Sequence, residues 1–262
     1  MSVDVHASAV VAPGARLGPG VKIGPYAVVG EGVELGRGTS VGAHAELEGP
    51  AVFGEENRIF AHAVLGFEPQ DLRYRGEPTR LVVGSRNRFR EFTTVHRGTP
   101  AEAGGAGETV IGDDNYFMAY SHVAHDCRVG SGTVFANCAS LAGHVEVGDR
   151  AVVSAFAAVH QFARIGRSAF VGGYTQCRQD VLPFCKTEGT DAKTYGINTI
   201  GLKRQGFGDS EIEALQKAYR FLVKSRLNTS QAIERIEREL AGSPAVEELV
   251  RFIRSSKRGF HK

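Results

Sequence analysis

A parallel β-helix, followed by a small α-helical module, is the fold this sequence predicts. Three observations carry it: an apolar residue on every sixth position, thirty-three glycines without any Gly-Ser linker, and a change to helical periodicity after Pro183. A hexapeptide period marks a solenoid in which each unit supplies one short strand and a turn. Three units close a triangular coil, so residues eighteen apart stack on neighbouring coils.

The first run of repeats starts at Val5 and keeps its frame through Leu17, Val29, Val41, Phe53 and Leu65. Glycine often follows, as at Gly18, Gly24, Gly30, Gly36 and Gly42, and the fifth residue is usually small, as with Ala9, Ala15, Ala27 and Thr39. First and fifth positions are expected inside the coil, the others at turns or on the outer surface. The frame resumes at Val83, Phe89 and Val95, and again from Ile111 to Cys177. Glycine-rich, β-branched sequence without a 3.6 period argues against helix here.

Two segments escape the repeat, at 66–82 ("GFEPQDLRYRGEPTRLV") and 101–110 ("AEAGGAGETV"). Insertions in a solenoid become projecting loops, often on the binding face. The first is rich in charge and aromatics and is expected to be functional; the second reads as tolerated length.

From 184 onward the pattern is helical. Ser210 and Glu213 form a capping-box pattern ahead of Ile212, Leu215, Tyr219 and Leu222. A second helix fits Ser230–Leu240, stopped by Gly242, and a third begins near Ser243–Pro244. The expected division is a β-helical domain over 1–183, with loops at 66–82 and 101–110, and a helical domain over 184–262.

Charge is nearly balanced, at 31 basic and 29 acidic residues, which excludes a protein built to coat nucleic acid. It is unevenly placed: from Lys203 onward there are 13 basic and 8 acidic residues, against 18 and 21 before it. A basic C-terminal module suggests an acidic partner. Four cysteines without C-x-x-C spacing indicate neither a zinc knuckle nor a disulfide framework. No signal peptide and no apolar run of about 18 residues is present, so a cytoplasmic protein without membrane insertion is expected.

The stretch "SHVAHDC" at 121–127 concentrates the chemistry. Val123 opens a hexapeptide, so Cys127 is a fifth residue and a core filler, as is Cys177 in a first position. His122, His125 and Asp126 fall outside, on the coil surface. Eighteen residues on from His125 is Gly143, and eighteen more is Gln161; eighteen on from Asp126 is His144. Strands lie about 4.8 Å apart, which makes these near neighbours. His96 and His160, both second positions, join the same face if the insertions cost no turn of the prism. His6, His44, His62 and His261 read as ordinary surface or packing residues. The cluster admits a metal site, which needs about three converging ligands, an acid–base site, or a polar surface without chemistry.

In order along the chain occur "IGPYAVVGEGVELGRGT", "QDLRYRGEPTR", "VHRGT", "SHVAHDC", "LAGHV", "AVHQFARIG", "VGG" and "INTIGLKRQGF". Together they resemble the UDP-N-acetylglucosamine acyltransferase family that starts lipid A synthesis in Gram-negative bacteria, over essentially the whole chain. The resemblance implies a left-handed β-helix, and a homotrimer with sites in clefts between subunits. It implies transfer of an R-3-hydroxyacyl group from acyl carrier protein to the 3-hydroxyl of UDP-N-acetylglucosamine, with no metal and no cofactor.

By motif it makes His125 the general base, Asp126 its orienting carboxylate and Gly143 the backbone oxyanion donor. Asp71 and Arg73 of the first loop, and His96, His122, His144, His160 and Gln161, match substrate contacts. Asn198 and Arg204 match residues near the nucleotide, and Gly173 a position that sets acyl length. The basic C-terminal module would then meet an acidic carrier protein. Two positions depart from the pattern: Arg73 stands for a lysine, and Gln205 for a second arginine. The acceptor could also be the 3-amino analogue. Related alternatives are the N-acyltransferase of the same pathway, a zinc hydratase of the γ-carbonic anhydrase type, and a non-catalytic scaffold.

Overall fold

The computed structural model describes residues 2–101 and 104–262. Among them, strands of two to five residues wind into three sheets of eleven, nine and eight strands. Each coil gives one strand to each sheet. Pairing is parallel and in the eighteen-residue register, as Asp4 with Lys22 and Val5 with Ile23. Across the two insertions Arg58 pairs with Arg88, and Arg88 with Tyr116. Both loops therefore lengthen a coil without turning its faces.

Side chains sort as the hexapeptide requires. Val123 and Cys127, first and fifth in their unit, are fully buried, and Cys177 likewise. Burial pushes the Cys127 and Cys177 thiols up to about 12, so neither is a nucleophile or ready ligand near neutrality. Inside one face Phe89, Phe117 and Phe135 stack with centroids 4.9 and 4.8 Å apart. Such contacts add about 0.5–1.5 kcal/mol each beyond their burial. Three fifth positions hold asparagine instead of a small apolar residue. Asn57 Oδ1 accepts from the Asn87 N–H, Asn87 Oδ1 from the Asn115 N–H, and Asn115 Oδ1 from the Thr133 N–H. This ladder satisfies corner N–H groups that the sheets leave over.

The fourth residue of each unit turns the corner in the left-handed region. Tyr26, His44, His62, Phe92, Asp126 and His144 all have φ between 56° and 61°. This conformation costs an L-residue roughly 1–2 kcal/mol, and the stacked coils on either side hold it in place.

The first loop is shorter than the repeat break suggests, and the second begins and ends earlier. Strand extends to Phe67 and resumes at Arg80, so the first loop is 68–79. The second lies between Thr94–His96 and Glu108–Ile111; residues 102 and 103 of the segment expected at 101–110 fall outside the described residues. Pairing along the strand, not the apolar period, sets these ends.

The sheet does not stop at Pro183. Cys185–Glu188 pairs in parallel with the Phe170–Val171 strand and turns back as a hairpin with Lys193–Ile197. Helices follow: α1 (Thr199–Arg204), α2 (Asp209–Tyr219) running into a π-helical stretch (Arg220–Lys224), α3 (Thr229–Glu239) and α4 (Pro244–Arg254). Leu202, Ile212, Leu215, Leu222, Ile236 and Leu249 form their common core. The capping box expected at Ser210 is absent: α2 begins two residues earlier than a Ser210 cap would place it, with Gly208 as an extended N-cap and no side-chain cap. The box that does form is Asn228 with Gln231, at the start of α3. Neither α1 nor the hairpin was legible in the apolar pattern.

Candidate active site

The chemistry gathers on one face and the corner that follows it. The strands Thr94–His96, His122–Val123, Ser140–Leu141 and Ala158–Val159 are consecutive neighbours in one sheet. His96, His122 and His160 consequently share that face. His125, Asp126, Gly143 and His144 occupy its corner.

At the corner the His125 Nδ1–H donates to Asp126 Oδ2 at 2.7 Å. Asp126 also accepts from the Thr99 N–H (3.0 Å), the Thr99 hydroxyl (2.6 Å) and the Ala106 N–H (2.8 Å). Burial opposes ionisation of this carboxyl, but the hydrogen bonds from His125, Thr99 and Ala106 outweigh it and hold the group down at about 2. An ionised carboxylate only accepts, so the proton between the two residues belongs to His125 Nδ1. His125 Nε2 is left with its lone pair directed away from Asp126.

Nε2 points over Gly143. A Cβ built on Gly143 would lie 2.6 Å from His125 Nε2 and 2.5 Å from Cε1, so the ring occupies the space a side chain would need. Only glycine fits at 143 while His125 keeps this position. No described residue accepts a hydrogen bond from the Gly143 N–H, although its neighbours Ala142 and His144 donate to Val159 and His125 carbonyls. The base and an open backbone donor thus lie side by side on adjacent coils.

His125 and Asp126 are on the outside of the coil, as their repeat positions require, yet they are buried, with 8% and 5% of their surface exposed. The expectation of a solvent-facing pair is corrected here. The chain around Thr99 and Ala106 covers them. The second loop is therefore part of the site and not tolerated length; sequence reasoning passed over it because the Ala106 and Thr99 N–H donors leave no mark in residue type, and a lone threonine hydroxyl is no motif.

Burial favours the neutral form of three surrounding histidines. His144 packs edge-on against His125, with centroids 5.2 Å apart and rings at 89°, and burial lowers its pKa. His122 Nδ1 lies 2.7 Å from the Thr94 hydroxyl, and burial pushes its pKa down to about 4. His96 donates from Nδ1 to the Glu68 carbonyl at 2.7 Å, which ties the start of the first loop to this face; burial lowers its pKa too. His160 is exposed, with its Nδ1 3.3 Å from the Arg258 guanidinium.

In the first loop Arg73 grips Asp71 with a two-pronged contact of 3.1 and 2.7 Å, and the Arg73 N–H adds a third bond. These bonds hold the Asp71 carboxyl far below its usual range, and the nearby His125 draws it in the same direction. A lysine has no fork with which to make this contact.

The remaining expected residues are less concentrated. Gln161 is half-buried beside His160. Gly173 is open: a Cβ there would meet only the Ala155 carbonyl, at 3.4 Å. Asn198 caps α1 through the Gly201 N–H and donates to the Ser168 carbonyl, so its side chain is engaged in the fold. Arg204 is exposed at the end of α1. Gln205, which departs from the family pattern, is bound to the coil through the Ser168 hydroxyl at 2.6 Å.

A groove of about 450 Å³ runs from Asp126 and His144 past Ala106 and Phe162 to Lys257 and Arg258. His125, Asp126 and His144 present ligand-type atoms within 4.8 Å of one another. The Asp126 oxygens, however, already accept four hydrogen bonds, one of them from His125 Nδ1.

A parallel β-helix of hexapeptides with a histidine–carboxylate pair at a covered corner defines the class of hexapeptide acyltransferases, whose β-helix is left-handed. Residues 14–49 and 108–143 match the family model described as bacterial transferase hexapeptide (six repeats). Residues 180–261 match the model of UDP N-acetylglucosamine O-acyltransferase, domain 2. The chain is 44% identical to the acyl-[acyl-carrier-protein]–UDP-N-acetylglucosamine O-acyltransferase of Thermodesulfovibrio yellowstonii over 98% of both chains. It is 48% identical to the enzyme of that name from Halorhodospira halophila, over 97% of this chain and 98% of that one.

Among solved structures it is similar to a UDP-N-acetylglucosamine acyltransferase of Bacteroides fragilis, with TM-score 0.94, 36% identity and coverage of 98% and 99%. The Arabidopsis UDP-N-acetylglucosamine acyltransferase follows, with TM-score 0.80, 35% identity and coverage of 98% and 100%. The chain belongs to the UDP-N-acetylglucosamine O-acyltransferase family.

Proposed function

We propose that this protein transfers an R-3-hydroxyacyl group from acyl carrier protein to the 3-hydroxyl of UDP-N-acetylglucosamine, the first step of lipid A biosynthesis, with His125 as general base. The observation that carries the mechanism is the His125–Asp126 hydrogen bond, which fixes the proton on Nδ1 and leaves Nε2 free beside the Gly143 N–H.

His125 Nε2 takes the proton of the sugar 3-hydroxyl as its oxygen attacks the thioester carbonyl. Asp126 stabilises the imidazolium that forms. The Gly143 N–H donates to the oxyanion of the tetrahedral intermediate. Collapse forms the ester and breaks the C–S bond, and the imidazolium returns its proton to the leaving thiolate. His122 and His144, kept neutral by burial, line the pocket as hydrogen-bonding groups for the sugar or acyl hydroxyl. Asp71 and Arg73 in the first loop, with His96, His160 and Gln161, complete the substrate surface. Arg204 supplies a free guanidinium for pyrophosphate. With Gln205 engaged to Ser168, one further cationic contact is missing, and weaker nucleotide binding follows.

Lys257 and Arg258 at the far end of the groove support docking of an acidic carrier protein. The open space at Gly173 supports a long acyl chain, with Tyr174 beside it as a further determinant. A homotrimer is supported by an exposed aromatic stripe along a second corner, where Tyr26, Phe92, Tyr120, Phe156 and Tyr174 are each more than 40% exposed. Among the described residues, no helix is long and apolar enough to cross a membrane, in keeping with a cytoplasmic site of action.

The test is an acyl-transfer assay with a series of 3-hydroxyacyl carrier-protein thioesters and both acceptors, UDP-N-acetylglucosamine and its 3-amino analogue. Ester formation on the former supports the reading, and exclusive amide formation on the latter replaces its acceptor. Stoichiometric zinc in active protein would argue for a metal site instead.

A further inference from the structure

We infer that residues 98–101 and 104–107, the two flanks of the second loop, form a built-in clamp for the catalytic carboxylate, and that Thr99 is a positioning residue of the acyl transfer. The inference rests on the reading of His125 as base. Three independent contacts define the clamp. The Thr99 hydroxyl and N–H bond the two oxygens of Asp126, and the Ala106 N–H bonds the first of them again. From the adjoining strand, the Thr109 hydroxyl accepts from the Asp126 N–H at 2.8 Å. Backbone and side chain of Asp126 are thereby fixed together.

The two flanks approach each other closely to do this. The Gly105 N–H donates to the Pro100 carbonyl, and the Gly107 N–H to the Thr99 carbonyl at 2.8 Å. A Cβ on Gly105 would lie 2.1 Å from both Thr99 O and Thr99 Oγ1, and a Cβ on Gly98 would lie 2.3 Å from the Glu108 nitrogen. Glycine at 98 and 105 lets the chain fold back onto Thr99.

The clamp does two things to the base. It leaves Asp126 Oδ2 one direction in which to receive the His125 Nδ1–H, which sets the ring over Gly143. It also shares out the negative charge of Asp126 among several donors, so the carboxylate draws less on the His125 proton. The other titratable groups around His125 are Asp71 and Arg73 of the first loop, His96 of the preceding coil, His122 of its own coil, and His144 of the next. None of these touches the Thr99 hydroxyl.

The test compares Thr99→Val, Thr99→Ser, Gly105→Ala and His125→Ala in steady-state acyl transfer, with melting curves for each. Thr99→Val is expected to lose roughly 10- to 100-fold in kcat, the size of a lost hydrogen bond to a charged group, with the KM for UDP-N-acetylglucosamine nearly unchanged. The acidic limb of its pH profile is expected to move to higher pH, because an unshared Asp126 favours the imidazolium. Thr99→Ser keeps the hydroxyl and should restore the rate to within a few-fold. Gly105→Ala should resemble Thr99→Val.

A Thr99→Val protein with wild-type kcat and pH profile overturns the clamp while leaving the base in place. So does a lowered kcat with an unmoved acidic limb that Thr99→Ser fails to rescue. Full activity in His125→Ala overturns the reading of the base instead.

Discussion

Two histidine pairs sit on adjacent coils at neighbouring corners of the prism. His44 and His62 occupy fourth positions with φ near 60°, their rings parallel at 5.0 Å and tilted by 2°. At the next corner His125 is a third residue and His144 a fourth, on adjacent coils, with centroids 5.2 Å apart but rings at 89°. The first pair belongs to a continuous stack from Tyr26 to Phe92 and on to Tyr120. In the second pair His144 stacks on Phe162 at 4.4 Å, while His125 stands edge-on to it, turned by Asp126 into the space that Gly143 leaves. The same residue type becomes packing at one corner and a candidate base at the next: His44 and His62 hold the left-handed fourth position, whereas His125 is a third residue outside the left-handed region. What differs is the cover: both insertions fold over the second corner and bury its polar groups, whereas the first stays a bare ladder.

After loss of the base itself, the largest effect should come from Asp126→Asn. An asparagine presents an N–H where Thr99 and Ala106 donate, and it frees His125 to change tautomer. A loss of roughly 10²–10³-fold in kcat is expected, with the acyl-transfer rate as the measurement. Gly143→Ala comes next, at about 10²-fold or more. The added methyl must displace a ring that Asp126 holds, so both the base and the neighbouring N–H shift. A crystal structure of the variant would show His125 rotated.

A smaller effect is on stability. His122 has its pKa pushed down to about 4 by burial, from 6.5. The unfolded chain therefore binds a proton that the folded protein refuses as pH falls from about 6.5 to about 4. Stability should decline across that window by on the order of 2–3 kcal/mol. Denaturant midpoints against pH should flatten in His122→Gln. The smallest change belongs to the bare corner. His62→Ala removes two stacking contacts and should cost about 1 kcal/mol of stability, with acyl transfer unchanged within about twofold. A large activity loss there would erase the contrast between the corners.

Much of this contrast was legible in the sequence. The period of six placed Val123 and Cys127 inside and His125 outside, and the eighteen-residue rule put Gly143 beside His125 before any coordinates. The insertions preserved the faces, so His96 and His160 fell where the frame put them. Three things were not legible. The burial of Asp126 depends on Thr99 and on the Ala106 N–H, and a backbone donor leaves no mark in residue type. The start of α2 at Gly208–Asp209, in place of a Ser210 cap, turned on local chain direction that the Ser–Glu spacing does not encode. Asn198 looked like a ligand contact by motif, yet it caps α1 and ties it to Ser168, a role set by tertiary packing.

The most direct test of the central claim is the acyl-transfer rate of His125→Ala on UDP-N-acetylglucosamine, in protein that melts as the parent does. The account predicts a fall of about 10²–10⁴-fold, with UDP-N-acetylglucosamine binding retained. A folded His125→Ala protein that transfers acyl groups at the parental rate would contradict it.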